Sequence, residues 1–345
     1  MLSVELYKKY RPKTWKNFIG QTPVVRSLRE MVKTGSVPSA ILFSGPRGCG
    51  KTSAAFVLAK ALNCENLTDD YGPCSKCSSC AAIDNGSFPG VHYFSMANAS
   101  GVESVREMVQ EAQLNQGAKQ TVYIVDEVHN CSKAAFDSLL IPLEQNLPAL
   151  FIMCTTEPDK VPDTVLSRVQ QRRFSLVKPV LMQDYVSKLV AHAGMDVSES
   201  VVRQAVRAGR GSVRDTLTQL ETIISTGSAD ASWGERFYSA LAEKSLAKML
   251  LVVSEAVESG VSPRGLLAEL FEDMKQLFLF ESGVTDVSIP VPVESVSRFG
   301  GLRVLDVLFK ELSQCVVDVS RGVSSQLALE ATCVRMVAVM NKMGV

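Results

Sequence analysis

The stretch Ala40-Ile41-Leu42-Phe43-Ser44-Gly45-Pro46-Arg47-Gly48-Cys49-Gly50-Lys51-Thr52-Ser53 runs on without a break into Ala54-Ala55-Phe56-Val57-Leu58-Ala59-Lys60-Ala61-Leu62. A short apolar run, a glycine-rich turn and a series of good helix formers follow one another. The middle matches G-x-x-x-x-G-K-[ST] at every position. That motif has meaning only between a strand and a helix, and both are expected here, the helix over Ser53–Leu62. The glycines let backbone N–H groups curl around phosphate oxygens. Lys51 reaches the β and γ phosphates, the Thr52 hydroxyl ligates Mg²⁺, and the helix N-terminus adds a favourable dipole. A phosphate site is therefore predicted at Gly45, Pro46, Arg47, Gly48, Cys49, Gly50, Lys51, Thr52 and Ser53. The competing explanation, a chance glycine turn, leaves the flanking strand and helix unexplained.

Further strands are expected at Val91–Ser95, Thr121–Val125, Leu150–Cys154 and Arg173–Leu176, each followed by turn residues and a helical pattern. Alternation of this kind predicts an α/β fold with a parallel sheet covered on both faces. Asp126-Glu127 ends the strand at 121–125, on the edge where open α/β sheets bind ligands. Asp126 is expected to hold Mg²⁺ through water, and Glu127 to polarise an attacking water. Acidic strand ends are common, but this one lies downstream of a complete phosphate loop with one strand between.

Past Pro179 the pattern turns helical, at Met182–Ala193, Ser198–Ala208 and Ser212–Thr226, before a small polar linker, Gly227–Ser232. Residues 233–345 show helical spacing only. Leu266, Leu267, Leu270 and Phe271 make one apolar stripe, continued by Leu277, Leu279 and Phe280; Val304, Leu305, Leu308 and Leu312 make another. A helical bundle is the plain reading.

The chain has 345 residues, which predicts two or three domains. Lys plus Arg and Asp plus Glu both number 36, so the balance excludes a highly basic nucleic-acid coat and an acidic disordered tail. No apolar run approaches the roughly 20 residues of a membrane span, and no signal peptide is expected at Met1–Arg11. A cytoplasmic location follows as the default, in which the nine cysteines are not expected to form structural disulfides. Cys64, Cys74, Cys77 and Cys80 have the spacing C-x9-C-x2-C-x2-C, with the turn formers Pro73, Ser75, Ser78 and Ser79 between them. Four thiolates make a closed tetrahedral zinc site, structural because no position is left for water. A redox switch or an iron–sulfur cluster remains open as an alternative.

These residues together resemble the tau/gamma ATPase subunit family of the bacterial DNA polymerase III clamp loader, an AAA+ family. The resemblance runs from Tyr7-Lys8-Lys9-Tyr10-Arg11-Pro12-Lys13-Thr14-Trp15 and Ile19-Gly20-Gln21 through the phosphate loop and Ala59-Lys60-Ala61-Leu62-Asn63-Cys64. It continues through the other cysteines and Asp126-Glu127-Val128-His129 to Thr155-Thr156-Glu157-Pro158, Leu166-Ser167-Arg168 and Gly211-Ser212-Val213-Arg214-Asp215. It is specific over about the first 225 residues. The remainder matches by length and pattern, with Leu327-Ala328-Leu329-Glu330 and Arg335 near the end of the family's collar.

The resemblance implies an AAA+ domain at 1–178 with a zinc-binding insert at 64–80, a helical lid at 179–228 and an all-α oligomerisation collar at 229–345. It implies roles for Thr156 as sensor 1, with Thr155 as substitute, for Arg168 as an arginine finger reaching a neighbouring subunit's ATP, and for Arg214 as sensor 2. It places the adenine against Tyr10, Arg11, Pro12 and Ile19. The implied activity is ATP hydrolysis with Mg²⁺, driving the loading of a sliding clamp onto primer–template DNA. Implied partners are delta- and delta-prime-like subunits, copies of itself, the clamp and the DNA. The rival is another AAA+ DNA-remodelling ATPase such as a branch-migration helicase subunit, disfavoured because 230–345 shows no strand pair for a winged helix.

Three departures are visible. Val169 stands where the family has Cys after the finger. Ala97–Val102 has no basic residue where the family meets DNA phosphates. Ile141 replaces a lysine in Leu139-Leu140-Ile141-Pro142, leaving Arg106 as the basic residue at a DNA-facing position. They mark a divergent branch, for which a phage or plasmid origin is one reading. The sequence also stops after the collar, where the longest family members continue into a tail that binds polymerase and helicase.

Overall fold

Strand β1 leads straight into the phosphate loop, and the rest of the fold is arranged around that junction. The computed structural model describes residues 5–97, 102–112, 118–145, 147–226, 232–284, 287 and 289–344. Residues 98–101 of the stretch compared with a DNA-facing segment, and 227–231 of the expected linker, lie outside the described residues.

In chain order the elements are α1 (Leu6–Lys9), α2 (Thr22–Thr34), β1 (Ala40–Ser44), α3 (Lys51–Asn63), α4 (Ser78–Asp84), β2 (Val91–Ser95), α5 (Val102–Ala112), β3 (Thr121–Asp126), α6 (Lys133–Glu144), β4 (Ala149–Thr155), α7 (Asp163–Leu166), β5 (Gln170–Arg173), α8 (Pro179–His192), α9 (Glu199–Ala208) and α10 (Val213–Thr226). Six further helices follow, α11 (Trp233–Ala242), α12 (Leu246–Glu258), α13 (Pro263–Glu281), α14 (Val293–Val296), α15 (Leu302–Ser320) and α16 (Ser325–Lys342). The chain divides into two compact units, 1–195 with 209–225, and 196–208 with 226–345.

The first unit holds a five-stranded parallel sheet in the order β2-β3-β4-β1-β5. Successive side chains of a strand point to opposite faces, and the packing follows that period. Ile41, Phe43, Ile124 and Ile152 join one core with α2 and α3 residues such as Leu28 and Leu58. Ala40, Leu42, Tyr123, Val125 and Phe151 join the other with Met108 and Leu139 of α5 and α6. Both faces are thus covered, as the near-continuous apolar strands require. β4 lies between β1 and β3. The loop after β1 and the acidic pair after β3 therefore emerge at the same sheet edge two strands apart, about 10 Å at the usual strand spacing.

The expected strands at 40–44, 91–95, 121–125 and 150–154 are present, the third one residue longer and the fourth longer by one residue at each end. The fifth is not where the apolar pattern put it: the strand is Gln170–Arg173, not Arg173–Leu176. It is an edge strand paired through its backbone to β1, and its side chains Gln170, Gln171 and Arg173 are exposed, so hydrophobicity carries no signal. The helix after the phosphate loop begins at Lys51 rather than Ser53, because Gly50 takes a left-handed conformation (φ 101°) that turns the chain into the helix.

The second unit is entirely helical among its described residues. Phe237, Tyr238, Val253, Leu266, Leu270, Phe299, Leu305, Leu308, Leu312 and Met336 share one core, and both sequence stripes face it, although Phe271, Leu279 and Phe280 are only half-buried. Its buried carboxylate, Asp273, is met by the partly buried Arg207 of α9. That guanidinium meets Glu235 at 2.6 Å and Asp273 at 2.7 Å. Glu235 also completes a capping box with Ser232 at the start of α11. A Cβ on Gly234 would stand 1.8 Å from Asp273 Oδ2, so the network needs glycine there. Burial pushes the Asp273 carboxyl up to about 6, against the pull of Arg207.

Candidate functional site

The phosphate loop is held by contacts that exclude side chains. Gly45 has φ 140°, and a Cβ there would lie 2.3 Å from the Phe174 carbonyl oxygen. Gly48 has φ 74°, and a Cβ there would lie 2.0 Å from Ser212 Oγ. Gly45, the first glycine of the motif, therefore admits no other residue, and Gly48, at one of the motif's variable positions, is favoured by its left-handed backbone and by the closeness of Ser212.

A cavity of about 650 Å³ opens over the loop, lined by Arg47, Gly48, Cys49, Gly50, Lys51, Thr52 and Ser53. Tyr10, Arg11, Pro12, Phe18 and Ile19 form one wall, Tyr93, Asp126, Glu127, Thr155 and Thr156 the sheet side, and Tyr185, Arg214 and Leu217 the helical side. Every residue expected at the nucleotide thus lines one space, except Gly45 and Pro46, whose carbonyls each accept a hydrogen bond from Lys51 Nζ at 2.7 Å. Arg168 is elsewhere. It follows α7, just past the C-cap Ser167, donates to the Thr164 carbonyl at 2.7 Å and pairs with Glu144 at 2.9 Å.

The donor set suits a divalent cation and a triphosphate. Thr52 Oγ1 donates to Asp126 Oδ2 at 2.7 Å, so a hydroxyl and a carboxylate already meet at the head of α3. Asp126 Oδ1 accepts the Glu127 N–H at 2.9 Å. Glu127 sits at φ 53°, left-handed for a residue with a Cβ, a conformation costing about 1–3 kcal/mol and concentrated at functional sites. Asn130 Nδ2 reaches its Oε2 at 3.4 Å. Thr155 is buried, hydrogen-bonded to His129 Nδ1 at 3.2 Å and accepting the Glu157 N–H at 3.0 Å, whereas Thr156 is exposed. Arg214 stacks on Tyr7, 4.7 Å from the ring centre, and Arg11 lies 5.2 Å over Phe56 while donating to Ser53 Oγ at 3.1 Å.

Tyr93 is the residue that motif reading missed. Its hydroxyl donates to Asp126 Oδ2 at 3.3 Å, and its ring lies 5.7 Å from Phe56. Burial, with the Asp126 charge beside it, pushes the phenol up to about 12, so it remains a donor at neutral pH. The available signal was weak: a tyrosine three residues into an edge strand.

The four cysteines of the insert converge. Their sulfurs all lie within 4.8 Å of one another, with Cys64–Cys80 at 3.8 Å and Cys64–Cys77 at 4.0 Å. Zn–S bonds of about 2.3 Å in a tetrahedron put sulfurs about 3.8 Å apart, so the cluster fits zinc. Backbone N–H groups of Lys76 and Cys77 point at Cys74 Sγ (3.4 and 3.3 Å) and bring that thiol down to about 6, favouring the thiolate a metal needs. Burial pushes Cys64 and Cys80 up. The insert is joined to α3 by Lys60, whose buried ammonium pairs with Asp84 at 2.8 Å.

The sheet order, the phosphate loop and the acidic pair after β3 define a P-loop nucleoside triphosphatase fold of the AAA+ class followed by a helical domain. The family described as DNA polymerase III, delta subunit matches residues 20–178. Subunit tau of Bacillus subtilis is 31% identical over 85% of this chain and 55% of its own length. The gamma/tau subunit of Mycobacterium tuberculosis H37Rv is 31% identical over 96% of this chain and 62% of its own. Over most of its length the chain is thus similar to the tau and gamma/tau subunits of DNA polymerase III. It spans about three-fifths of the length of these relatives. A solved structure titled as the Thermotoga maritima RuvB Holliday junction branch migration motor overlaps at TM-score 0.48, with 16% identity over 79% of each chain. No described helix is long and apolar enough to cross a membrane.

Proposed function

We propose that the chain is an ATPase subunit of a DNA polymerase sliding-clamp loader, converting ATP and water to ADP and phosphate while the clamp is placed on primer–template DNA. The observation that carries this reading is the convergence of Lys51, Thr52, Asp126, Glu127, Thr155, Thr156 and Arg214 on one cavity beside the glycine loop. Lys51 meets the β and γ phosphates, and Arg214 reaches the same nucleotide from α10. Glu127 orients and polarises the attacking water, with a threonine hydroxyl at the end of β4, Thr156 or Thr155, on its far side. Thr52 and Asp126 would hold a magnesium ion, which would supply neutralising charge to the triphosphate. The base lies against Tyr10, Arg11, Pro12 and Ile19.

Arg168 lies outside the cavity and serves as the finger for a neighbouring subunit's ATP. Its ties to Thr164 and Glu144 are surface contacts worth about 1 kcal/mol or less each, so they release readily when a subunit docks. The partners are delta- and delta-prime-like subunits, further copies of this chain, the clamp and DNA, in the cytoplasm. The functional segments are an ATPase domain at 1–178, a lid at 179–228 and a collar at 229–345. Cys64, Cys74, Cys77 and Cys80 hold a structural zinc.

Glu127→Gln tests the catalytic assignment, because it keeps shape and removes the carboxylate. Nucleotide affinity should persist while turnover falls about 10²- to 10⁴-fold, the usual contribution of a positioned base. Near-normal steady-state hydrolysis would sink the assignment.

A further inference from the structure

Phosphate-loop chemistry does not require a tie between the cysteine insert and the cavity wall, yet several run between them. Trp15 is 3% exposed, and its Nε1 donates to the Tyr71 carbonyl at 3.3 Å. A Cβ on Gly72 would stand 3.1 Å from Trp15 Cδ1, so the indole is seated on the insert's backbone two residues before Cys74. On its other side Trp15 lies 6.0 Å, ring to ring, from Phe18, which lines the cavity. Phe18 Cε1 in turn would stand 3.3 Å from a Cβ on Gly50 of the phosphate loop. Packed groups thus lead from the backbone beside Cys74, through Trp15 and Phe18, to the phosphate loop.

Two more ties run in parallel. Ser75 Oγ donates to the Lys13 carbonyl at 3.4 Å. Asp84 ends α4, the helix that carries Cys80, and receives both Lys13 Nζ at 3.8 Å and Lys60 Nζ at 2.8 Å. Lys60 belongs to α3, the helix that Lys51 begins. The segment 10–19 is therefore fastened to the insert on one side and presents Tyr10, Arg11, Pro12, Phe18 and Ile19 to the cavity on the other.

We propose that the four-cysteine insert is a buttress for the nucleotide cavity, and that Trp15 is the positioning residue coupling metal occupancy to nucleotide affinity. This rests on reading the cavity as an ATP site and the cysteines as a zinc site. A site built from four thiolates folds its loop when the metal binds. Tyr71 and Gly72 are part of that loop, and the seat of Trp15 is lost with it. Linkage then works in both directions: zinc strengthens nucleotide binding, and nucleotide strengthens zinc binding by the same factor.

The test uses the full chain, a fluorescent ADP analogue and a zinc-chelating dye. Removing zinc should weaken ADP binding about tenfold, within the usual 5- to 150-fold range of such couplings, and saturating ADP should tighten zinc by that same factor. Trp15→Phe keeps an apolar ring and loses the Nε1 donor. It should still hold one equivalent of zinc, while the coupling factor falls toward one. Equal ADP affinity with and without zinc, or full coupling in Trp15→Phe, overturns the buttress. Loss of helical circular dichroism across the whole chain on chelation would count against it as well, because the effect would then be global unfolding. Failure of the zinc-loaded wild type to bind ADP, matching a Lys51→Ala control, would instead remove the ATP-site reading on which the proposal stands.

Discussion

The two units bury polar groups for opposite reasons. In the first, Lys51 and Thr155 are buried beside the cavity, and Asp126 faces it, so their hydrogen bonds hold a site open to a ligand. In the second, Arg207 pairs with Glu235 and Asp273, and Tyr238 donates to the Leu270 carbonyl at 2.6 Å, so the charges are turned toward one another rather than toward a cavity. Burial of charge is thus no guide to chemistry. What separates a site from a strut is whether the partners leave a side of the group facing empty volume.

The comparison breaks most visibly at Arg168, a first-unit residue placed away from the first unit's cavity. Arg168→Ala should leave ADP affinity of the isolated chain unchanged and cut hydrolysis in the assembled complex by about 10³- to 10⁵-fold, the range for arginine fingers. Mixing Arg168→Ala with Lys51→Ala chains under subunit exchange should restore part of the activity. No recovery despite proven exchange would refute a finger acting between subunits.

Asp273 sharpens the other side of the comparison. Its carboxyl is pushed from an ordinary 3.8 up to about 6 by burial, so the folded unit keeps the proton to higher pH than the unfolded chain. The stability this gives is fully present below pH 4 and is lost as pH rises through 6, in total roughly 3 kcal/mol at 1.36 kcal/mol per pKa unit. Urea unfolding of wild type and Asp273→Asn across pH 4 to 7 isolates the term: the wild type should lose that increment with rising pH and the variant should not. Hydrolysis per folded chain should be the same in both.

The smallest effect is expected at Tyr93. Tyr93→Phe removes one neutral donor from Asp126, worth about 0.5–1.5 kcal/mol, so turnover should fall a few-fold and the magnesium requirement should rise. An unchanged magnesium titration would reduce the hydroxyl to a bystander of the aromatic pair with Phe56.

Much of the first unit was legible because its chemistry fixes spacing. Lys51 and Thr52 must follow Gly50 directly, and Asp126-Glu127 must end a strand, so linear patterns suffice. The stripes through Leu266–Leu270 and Val304–Leu312 were legible for a different reason: helical period exposes a core face without any long-range information. Strand β5 was misplaced because an edge strand of Gln and Arg pairs through its backbone. Arg207 went unnoticed because its partners are 28 and 66 residues away, and no local rule links them. Tyr93 and the seat of Trp15 were hidden likewise, since each acts through a residue from another element. Thr155 and Thr156 are adjacent in sequence, and only the fold separates a buried hydroxyl from an exposed one.

The left-handed backbone of Glu127 bears on how this chain would respond to engineering. A residue with a Cβ there is disfavoured by about 1–2 kcal/mol, whereas glycine adopts the conformation freely, with an unfolded-state penalty of about 0.5–1 kcal/mol. Glu127→Gly should therefore be neutral to stabilising while abolishing the water-polarising carboxylate. A laboratory selection for heat resistance alone would drift toward glycine at 127 and return a sturdier, inert protein. The glutamate persists only where turnover is selected together with survival of the fold.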